Sequence, residues 1–106
     1  MAKSPKLEIT PLNEWGMFHL PPRPCVIAGP CSAETEEQVM TTAAQLKEIG
    51  INVYRAGIWK PRTHPGSFEG VGTQGLKWMQ RAKRELGLKI ATEVANEKHV
   101  FDCLKY

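Results

Sequence analysis

The fold of this chain is decided by residues 51–72, INVYRAGIWKPRTHPGSFEGVG. Residues 51–56 form a short apolar run that predicts a buried β-strand with Arg55 near its carboxyl end. The loop that follows contains Lys60 and Arg62 but no acidic residue before position 69. Two prolines stiffen its backbone and four glycines allow tight turns. The sequence therefore predicts a rigid basic loop at the carboxyl end of a strand.

This loop suits a small anion such as a phosphate or a carboxylate. Arginine offers a planar fork of N–H donors to such oxygens, and lysine offers a compact point charge. The alternative is a basic loop that is merely solvated, which is common for clusters of like charge. Ligands of α/β proteins bind beyond the carboxyl ends of strands, and this position favours an anion site. Since the loop has no acidic neighbour, we expect Arg55 and Lys60 to be free to pair with a ligand.

Strands and helices alternate on both sides of this stretch. Thr35 and Gln38 have the spacing of a capping box at the start of a helix, and Gly87 and Asn96 mark a helix end and a helix start. The predicted elements are a strand at 25–29, a helix at 35–49, a strand at 51–56, a helix at 75–86, a strand at 88–94 and a helix at 96–106.

The order βαβαβα predicts an α/β fold with a parallel sheet. Three such units can form a small open sheet or the first three units of a (β/α)8 TIM barrel, which usually needs ~250 residues. We expect a proline-rich lead-in at residues 1–24, in which only residues 7–10 alternate enough for a short strand, and a barrel portion at residues 25–106.

Composition limits the class of protein. A chain of 106 residues is one domain or a piece of one, and its net charge of +3 lacks the broad basic face of a nucleic-acid binder. The N-terminus has no apolar run suited to a signal peptide or a membrane span. Three scattered cysteines argue against a disulfide framework. We therefore expect a cytoplasmic protein that binds neither nucleic acid nor membrane.

The carboxyl ends of the three predicted strands should meet at one mouth, which would bring together Cys31, Arg55, Lys60 and Glu93. Cys31 follows a strand directly and is a candidate metal ligand or nucleophile, although a buried structural thiol is the commoner case. A single thiolate does not hold a metal ion. We expect Cys25 and Cys103 to be small buried apolar residues. The three histidines, His19, His64 and His99, are not assigned to metal.

Three segments resemble the 3-deoxy-D-arabino-heptulosonate 7-phosphate synthases, the family that begins the shikimate pathway. They are GPCSAET at 29–35, RAGIWKPRTHPGSFEGVG at 55–72 and TEV at 92–94. The resemblance spans roughly residues 24–106, and KPRT is its most specific element. The sister 3-deoxy-D-manno-octulosonate 8-phosphate synthases typically carry an asparagine ahead of the arginine there. The lead-in resembles the variety often fused to chorismate mutase, a domain that this sequence does not contain.

The resemblance implies roles for individual residues. Cys31 would ligate a divalent metal, Arg55 and Lys60 would bind phosphoenolpyruvate at the catalytic centre, and Glu93 would lie near it. The segment that receives erythrose 4-phosphate would consist of Pro61, Arg62 and Thr63. The family's other metal ligands come from later strands, so we expect an N-terminal portion that is inactive by itself and a homo-oligomer in the full-length enzyme. The alternatives are an octulosonate synthase and a non-catalytic remnant that binds phosphate-bearing ligands or partner chains.

Overall fold

The computed structural model describes residues 8–11, 14–16, 24–59 and 70–106. Six elements follow one another in the predicted order, and the strands are shorter than predicted. Their bounds are β1 (Ile27–Ala28), α1 (Glu36–Glu48), β2 (Val53–Arg55), α2 (Thr73–Leu86), β3 (Lys89–Ala91) and α3 (Glu97–Leu104).

The three strands form one parallel sheet in the order β1-β2-β3. Ile27 pairs with Val53, and Val53 pairs in turn with Lys89. The predicted α/β class is confirmed. The third strand ends at Ala91, earlier than predicted, because the Thr92 hydroxyl donates to the carbonyl of Ala56 at 2.8 Å, and residues 92–94 lie outside the ladder.

The predicted helix caps are present. Thr35 Oγ1 accepts from the backbone N–H of Gln38 at 3.1 Å, and Asn96 Oδ1 accepts from that of His99 at 2.9 Å. The capping box at the first helix is displaced by one residue, because Gln38 Oε1 accepts from the N–H of Glu34 at 2.7 Å instead of that of the cap. Gly87 ends α2 in the left-handed conformation, with φ of 68°.

The core lies between the sheet and the first two helices. Its largest fully buried side chain is Tyr54, whose hydroxyl donates to the carbonyl of Val39 at 3.0 Å. Burial raises the pKa of Tyr54 to about 12, so this hydrogen bond persists over the physiological pH range. In α2 the buried face continues through Ala82, while Lys83 stays exposed and donates from Nζ to the carbonyl of Tyr106 at 2.7 Å. The buried face of α2 consists of Gly75, Leu76, Met79 and Ala82, and that of α1 of Val39 and Ala43.

Two glycines allow loops to approach the backbone that continues from β2. A Cβ atom on Gly29 would lie 1.7 Å from the carbonyl oxygen of Arg55, and one on Gly70 would lie 2.1 Å from that of Ile58. A side chain at either position would displace backbone rather than a flexible neighbour. Gly29, the first residue of the GPCS segment, is thus a packing requirement of the strand ends.

Several apolar side chains have no cover within the described part of the chain. Val26 and Ile27 at one edge of the sheet are 48% and 57% exposed, and α3 contributes no buried residue. A groove of about 410 Å³ separates α3 from α2 and β3. Val53, on the central strand, is by contrast buried at 7% exposure.

The lead-in is described only in part. Residues 8–10 have no regular structure, so the strand predicted for 7–10 is wrong over these residues, and the side chain of Trp15 is more than half exposed. No helix within the described ranges is long and apolar enough to cross a membrane. The domain boundary predicted at residue 24 stays a prediction.

Candidate anion-binding site

Arg55 joins the carboxyl ends of all three strands. It is the last residue of β2, and its Nη1 donates to the carbonyls of Pro30 at 3.0 Å and Cys31 at 3.4 Å, in the loop after β1. On the other side its Nε donates to Glu93 Oε1 at 2.8 Å, and its Nη2 donates to the same oxygen. The convergence expected for Cys31, Arg55 and Glu93 is therefore present.

The expectation that Arg55 is free to pair with a ligand is wrong. Its acidic partner, Glu93, comes from the next strand, and inspection of the loop alone gave no sign of it. Arginine carries five N–H donors, and the four hydrogen bonds described above use four of them. An incoming anion must therefore use the remaining donor or compete with Glu93, whose side chain is 56% exposed and can move aside.

The loop after β1 is tied to the residues after β2. The backbone N–H of Ala33 donates to the carbonyl of Gly57 at 2.9 Å, and Ser32 forms an isolated bridge with Gly57. The Ser32 Oγ atom is buried and has no hydrogen-bond partner among the described residues. A buried hydroxyl without a partner is costly, and this one lies beside Cys31. Sequence reasoning missed Ser32 because serine in a turn is ordinary.

The side chain of Cys31 is exposed beside this arginine. Over residues 24–59 and 70–106, and in the short described parts of the lead-in, no three histidine, cysteine or carboxylate side chains are close enough to hold a metal ion. One thiolate does not make such a site, so the described residues do not fit a bound metal by themselves.

Cys25 and Cys103 are half-buried instead of fully buried as expected. Burial, and to a lesser degree the charge of Asp102, raises the pKa of the Cys103 thiol. Cys31 is exposed whereas Cys103 is half-buried, and the role of Cys31 as a metal ligand stays a prediction.

The central part of the basic loop lies outside the described residues. This part contains Lys60, Pro61, Arg62, Thr63 and His64. The two ends of the loop are described, and they meet: the N–H of Gly72 donates to the carbonyl of Ile58 at 2.9 Å. Trp59, the last described residue before the gap, stacks on His99 with ring centroids 3.8 Å apart and planes inclined by 7°. The basic loop therefore leaves from and returns to a fixed base beside the strand ends.

A comparison of the sequence with models of protein families shows to which family the chain belongs. Residues 21–106 match the model of the DAHP synthetase I family. The chain belongs to this family. Among curated relatives, a phospho-2-dehydro-3-deoxyheptonate aldolase of Thermotoga maritima is 46% identical over 72 residues, which cover 68% of this chain and 21% of the relative. A 2-dehydro-3-deoxyphosphooctonate aldolase of Methylobacillus flagellatus is 40% identical over 82 residues, covering 71% of this chain and 29% of the relative.

Solved structures of the DAHP synthetase I family agree with the fold. The crystal structure of phospho-2-dehydro-3-deoxyheptonate aldolase (DAHP synthase) from Thermotoga maritima superposes with a TM-score of 0.68 at 40% identity, over 76% of this chain and 22% of that one. A truncated form of 3-deoxy-D-arabino-heptulosonate 7-phosphate synthase from the same organism gives a TM-score of 0.62 at 38% identity, over 76% and 28%. The chain thus spans less than a third of the length of these relatives.

Proposed function

We propose that this chain forms the first three βα units of a (β/α)8 barrel that acts as a 3-deoxy-7-phosphoheptulonate synthase. Its substrates are phosphoenolpyruvate and erythrose 4-phosphate. The observation that carries the proposal is the position of Arg55, whose guanidinium lies at the meeting point of three parallel strand ends in a member of the DAHP synthetase I family. Such a point is where α/β barrels bind and transform their substrates.

The reaction joins the enol carbon of phosphoenolpyruvate to the aldehyde carbon of erythrose 4-phosphate, while water adds and inorganic phosphate leaves. Arg55 and Lys60 hold the phosphate and carboxylate of phosphoenolpyruvate, so that its enol carbon faces the aldehyde. Pro61, Arg62 and Thr63 receive the phosphate of the second substrate. In this arrangement Glu93 contacts Arg55 first and the substrate only through it.

A divalent metal is the proposed cofactor of the complete protein, where it would polarise the aldehyde. The described residues supply a single candidate ligand for it, Cys31, and the other ligands would come from outside these residues. The homo-oligomeric state and the cytoplasmic location expected from the sequence stay predictions.

Replacing Cys31 with serine tests the metal assignment. In the complete protein we expect Cys31→Ser to lose most of its bound divalent metal, because a hydroxyl is a much weaker ligand than a thiolate. Metal content per chain, measured by elemental analysis after dialysis, is the readout. The matched control is Cys103→Ser, which should keep its metal because that thiol packs against the core. Full metal occupancy in the Cys31→Ser protein would remove Cys31 from the site.

Replacing Lys60 with alanine tests the basic loop. In the complete protein we expect Lys60→Ala to weaken transition-state binding by ~2–5 kcal/mol, the scale for truncating one partner of a buried charge pair. The measurement is kcat/KM for phosphoenolpyruvate. Lys89→Ala is the control, because Lys89 is an exposed lysine at the start of β3, at the opposite end of the sheet. Unchanged kinetics in Lys60→Ala would exclude Lys60 from the site.

The test of the proposed function is phosphate release by the complete protein supplied with phosphoenolpyruvate and one of two aldose phosphates. Turnover with erythrose 4-phosphate, and little with arabinose 5-phosphate, is expected. The reverse preference would make it an octulosonate synthase, a function favoured by relatives such as the 40% identical aldolase of Methylobacillus flagellatus. Calorimetric binding of phosphoenolpyruvate without turnover would instead support a non-catalytic remnant.

A further inference from the structure

The loop between β1 and α1, residues 29–35, supplies part of the frame around Arg55. The carbonyls of Pro30 and Cys31 accept from Arg55 Nη1 at 3.0 Å and 3.4 Å. Backbone carbonyls orient a guanidinium only while the backbone that carries them keeps its position. The orientation of Arg55 therefore depends on what holds the β1–α1 loop.

One side chain of the following helix holds this loop. Gln38, in the first turn of α1, donates from Nε2 to the carbonyl of Ser32 at 3.0 Å, and its Oε1 accepts from the backbone N–H of Glu34 at 2.7 Å. Gln38 is half-buried, so water competes less for these bonds than it would at an exposed position. The two bonds use the two ends of one amide group, since one end must donate and the other must accept.

The other side of the β1–α1 loop is fixed to the residues after β2. Ala33, which is fully buried, donates from its N–H to the carbonyl of Gly57 at 2.9 Å, and Ser32 forms an isolated bridge with Gly57. Cys31, whose carbonyl accepts from Arg55, is bonded directly to Ser32. A displacement of the Ser32 carbonyl from Gln38 would therefore also displace an acceptor of Arg55.

The two bonds of Gln38 imply different roles. Gln38 lies three residues after the N-cap of α1, where glutamine and glutamate commonly accept from a backbone N–H just before the helix. That role requires only an acceptor, and a glutamate would fill it at least as well because negative charge is favourable in the first turn. The bond to the Ser32 carbonyl requires a donor, which an ionised glutamate lacks.

We propose that Gln38 is a positioning residue for the anion site: its amide donor fixes Ser32, and with it the backbone carbonyls that orient Arg55 toward phosphoenolpyruvate. The inference rests on the proposed function for its effect on substrate binding. Its effect on the β1–α1 loop is independent of that function. The strength of one hydrogen bond sets the expected change at about three- to tenfold in an equilibrium constant.

Three substitutions in the complete protein separate the two roles of Gln38. Gln38→Glu keeps the acceptor and removes the donor, while Gln38→Met keeps a similar length and removes both. Gln45→Glu is the matched control, because it makes the same change of charge at an exposed position of the same helix.

Two readouts follow the loop and the site. The first is backbone amide hydrogen exchange at Ala33, measured by mass spectrometry with fragmentation to single residues. The Ala33 N–H bonds to Gly57 and not to Gln38, so its exchange reports the position of the loop as a whole. Exchange at Tyr54, fully buried on the central strand, is the reference for global opening. The second readout is the dissociation constant of phosphoenolpyruvate, measured by calorimetry.

We expect Gln38→Glu to exchange about three- to tenfold faster at Ala33 and to bind phosphoenolpyruvate about three- to tenfold more weakly, with a melting temperature no lower than that of Gln45→Glu. Gln45→Glu should match the unmodified protein on both readouts. Unchanged phosphoenolpyruvate binding in Gln38→Glu would overturn the proposal. Exchange at Tyr54 that rises as much as exchange at Ala33 would also overturn it, because the effect would then be global.

Gln38→Met covers the case in which Gln38→Glu fails to fold. It should also speed exchange at Ala33 and weaken phosphoenolpyruvate binding, and unmodified values on both readouts would overturn the proposal. If the unmodified protein binds no phosphoenolpyruvate, the proposed function fails, and the exchange rates at Ala33 still decide whether Gln38 holds the loop.

Discussion

The 106-residue chain expressed by itself is expected to condense no phosphoenolpyruvate with erythrose 4-phosphate, whatever divalent metal is added. The described residues offer one candidate ligand, Cys31, whereas catalytic metal sites take three or more from the protein. Arg55 is the one cation described at the mouth, and most of its N–H donors already form hydrogen bonds with protein groups. A chain with these groups alone would have neither the ligands to hold a metal that polarises the aldehyde nor the enclosure that the condensation requires.

The isolated chain is also expected to self-associate. Both outer strands of its sheet have an edge without a strand neighbour in the described structure, and exposed edges pair with other chains. Ile27 at one edge is 57% exposed, and Phe101 and Leu104 on α3 are 60% and 78% exposed. A domain of this size buries roughly two-thirds of its unfolded surface at best, so little stability offsets this exposure.

Sedimentation velocity and a phosphate-release assay on the purified 106-residue chain check both expectations. Species larger than a monomer, or material recovered only with denaturant, together with no turnover, are the predicted results. A monomeric chain that turns over both substrates would contradict the proposal that the chain is a portion of the catalytic barrel.

In the complete protein, Arg55→Ala is expected to lower activity more than Lys60→Ala does. It removes a forked donor for the phosphate or carboxylate of phosphoenolpyruvate and leaves the Glu93 carboxylate at an anion site without its counter-charge. Removing one partner of such a pair costs ~3–5 kcal/mol when the pair is buried by substrate. We therefore expect kcat/KM to fall by roughly two to nearly four orders of magnitude.

Two variants serve as controls for Arg55→Ala. Arg81→Ala removes an arginine that also pairs with carboxylates, Glu36 at 3.0 Å and Glu85 at 2.7 Å, but on the helices; its kcat/KM should be close to that of the unmodified protein. Arg55→Lys keeps the charge and loses the fork, so its activity should lie between the two. If Arg81→Ala lowers kcat/KM as much as Arg55→Ala does, the loss of activity reflects general destabilisation of the fold.

The order of elements could be predicted from sequence because local signals determine it. Thr35, Gly87 and Asn96 mark helix ends by hydrogen bonding or backbone conformation that depends on immediate neighbours, and the structure places them there. Strand lengths depend on ladder partners from other parts of the chain. The third strand was therefore predicted too long, since the bond from Thr92 to Ala56 joins residues far apart in sequence.

The candidate site could be predicted in part by similar reasoning. That prediction also fails where residues far apart in sequence make contact. Parallel strands bring their carboxyl ends to one edge, so the sequence alone predicts that Cys31, Arg55 and Glu93 lie together, as they do. That Glu93 occupies the guanidinium of Arg55 was not foreseen, because the absence of acidic residues was judged only along the loop. The stack of Trp59 on His99 was also missed, since nothing in the spacing of the two residues links them.

The most direct test of the central claim, that the strand ends form an anion site around Arg55, is a calorimetric titration of the complete protein with phosphoenolpyruvate in the absence of the second substrate. The account predicts one saturable site per chain, competition by inorganic phosphate, and loss of measurable binding in Arg55→Ala but not in Arg81→Ala. Absence of binding in the unmodified protein, or an unchanged dissociation constant in Arg55→Ala, would contradict it.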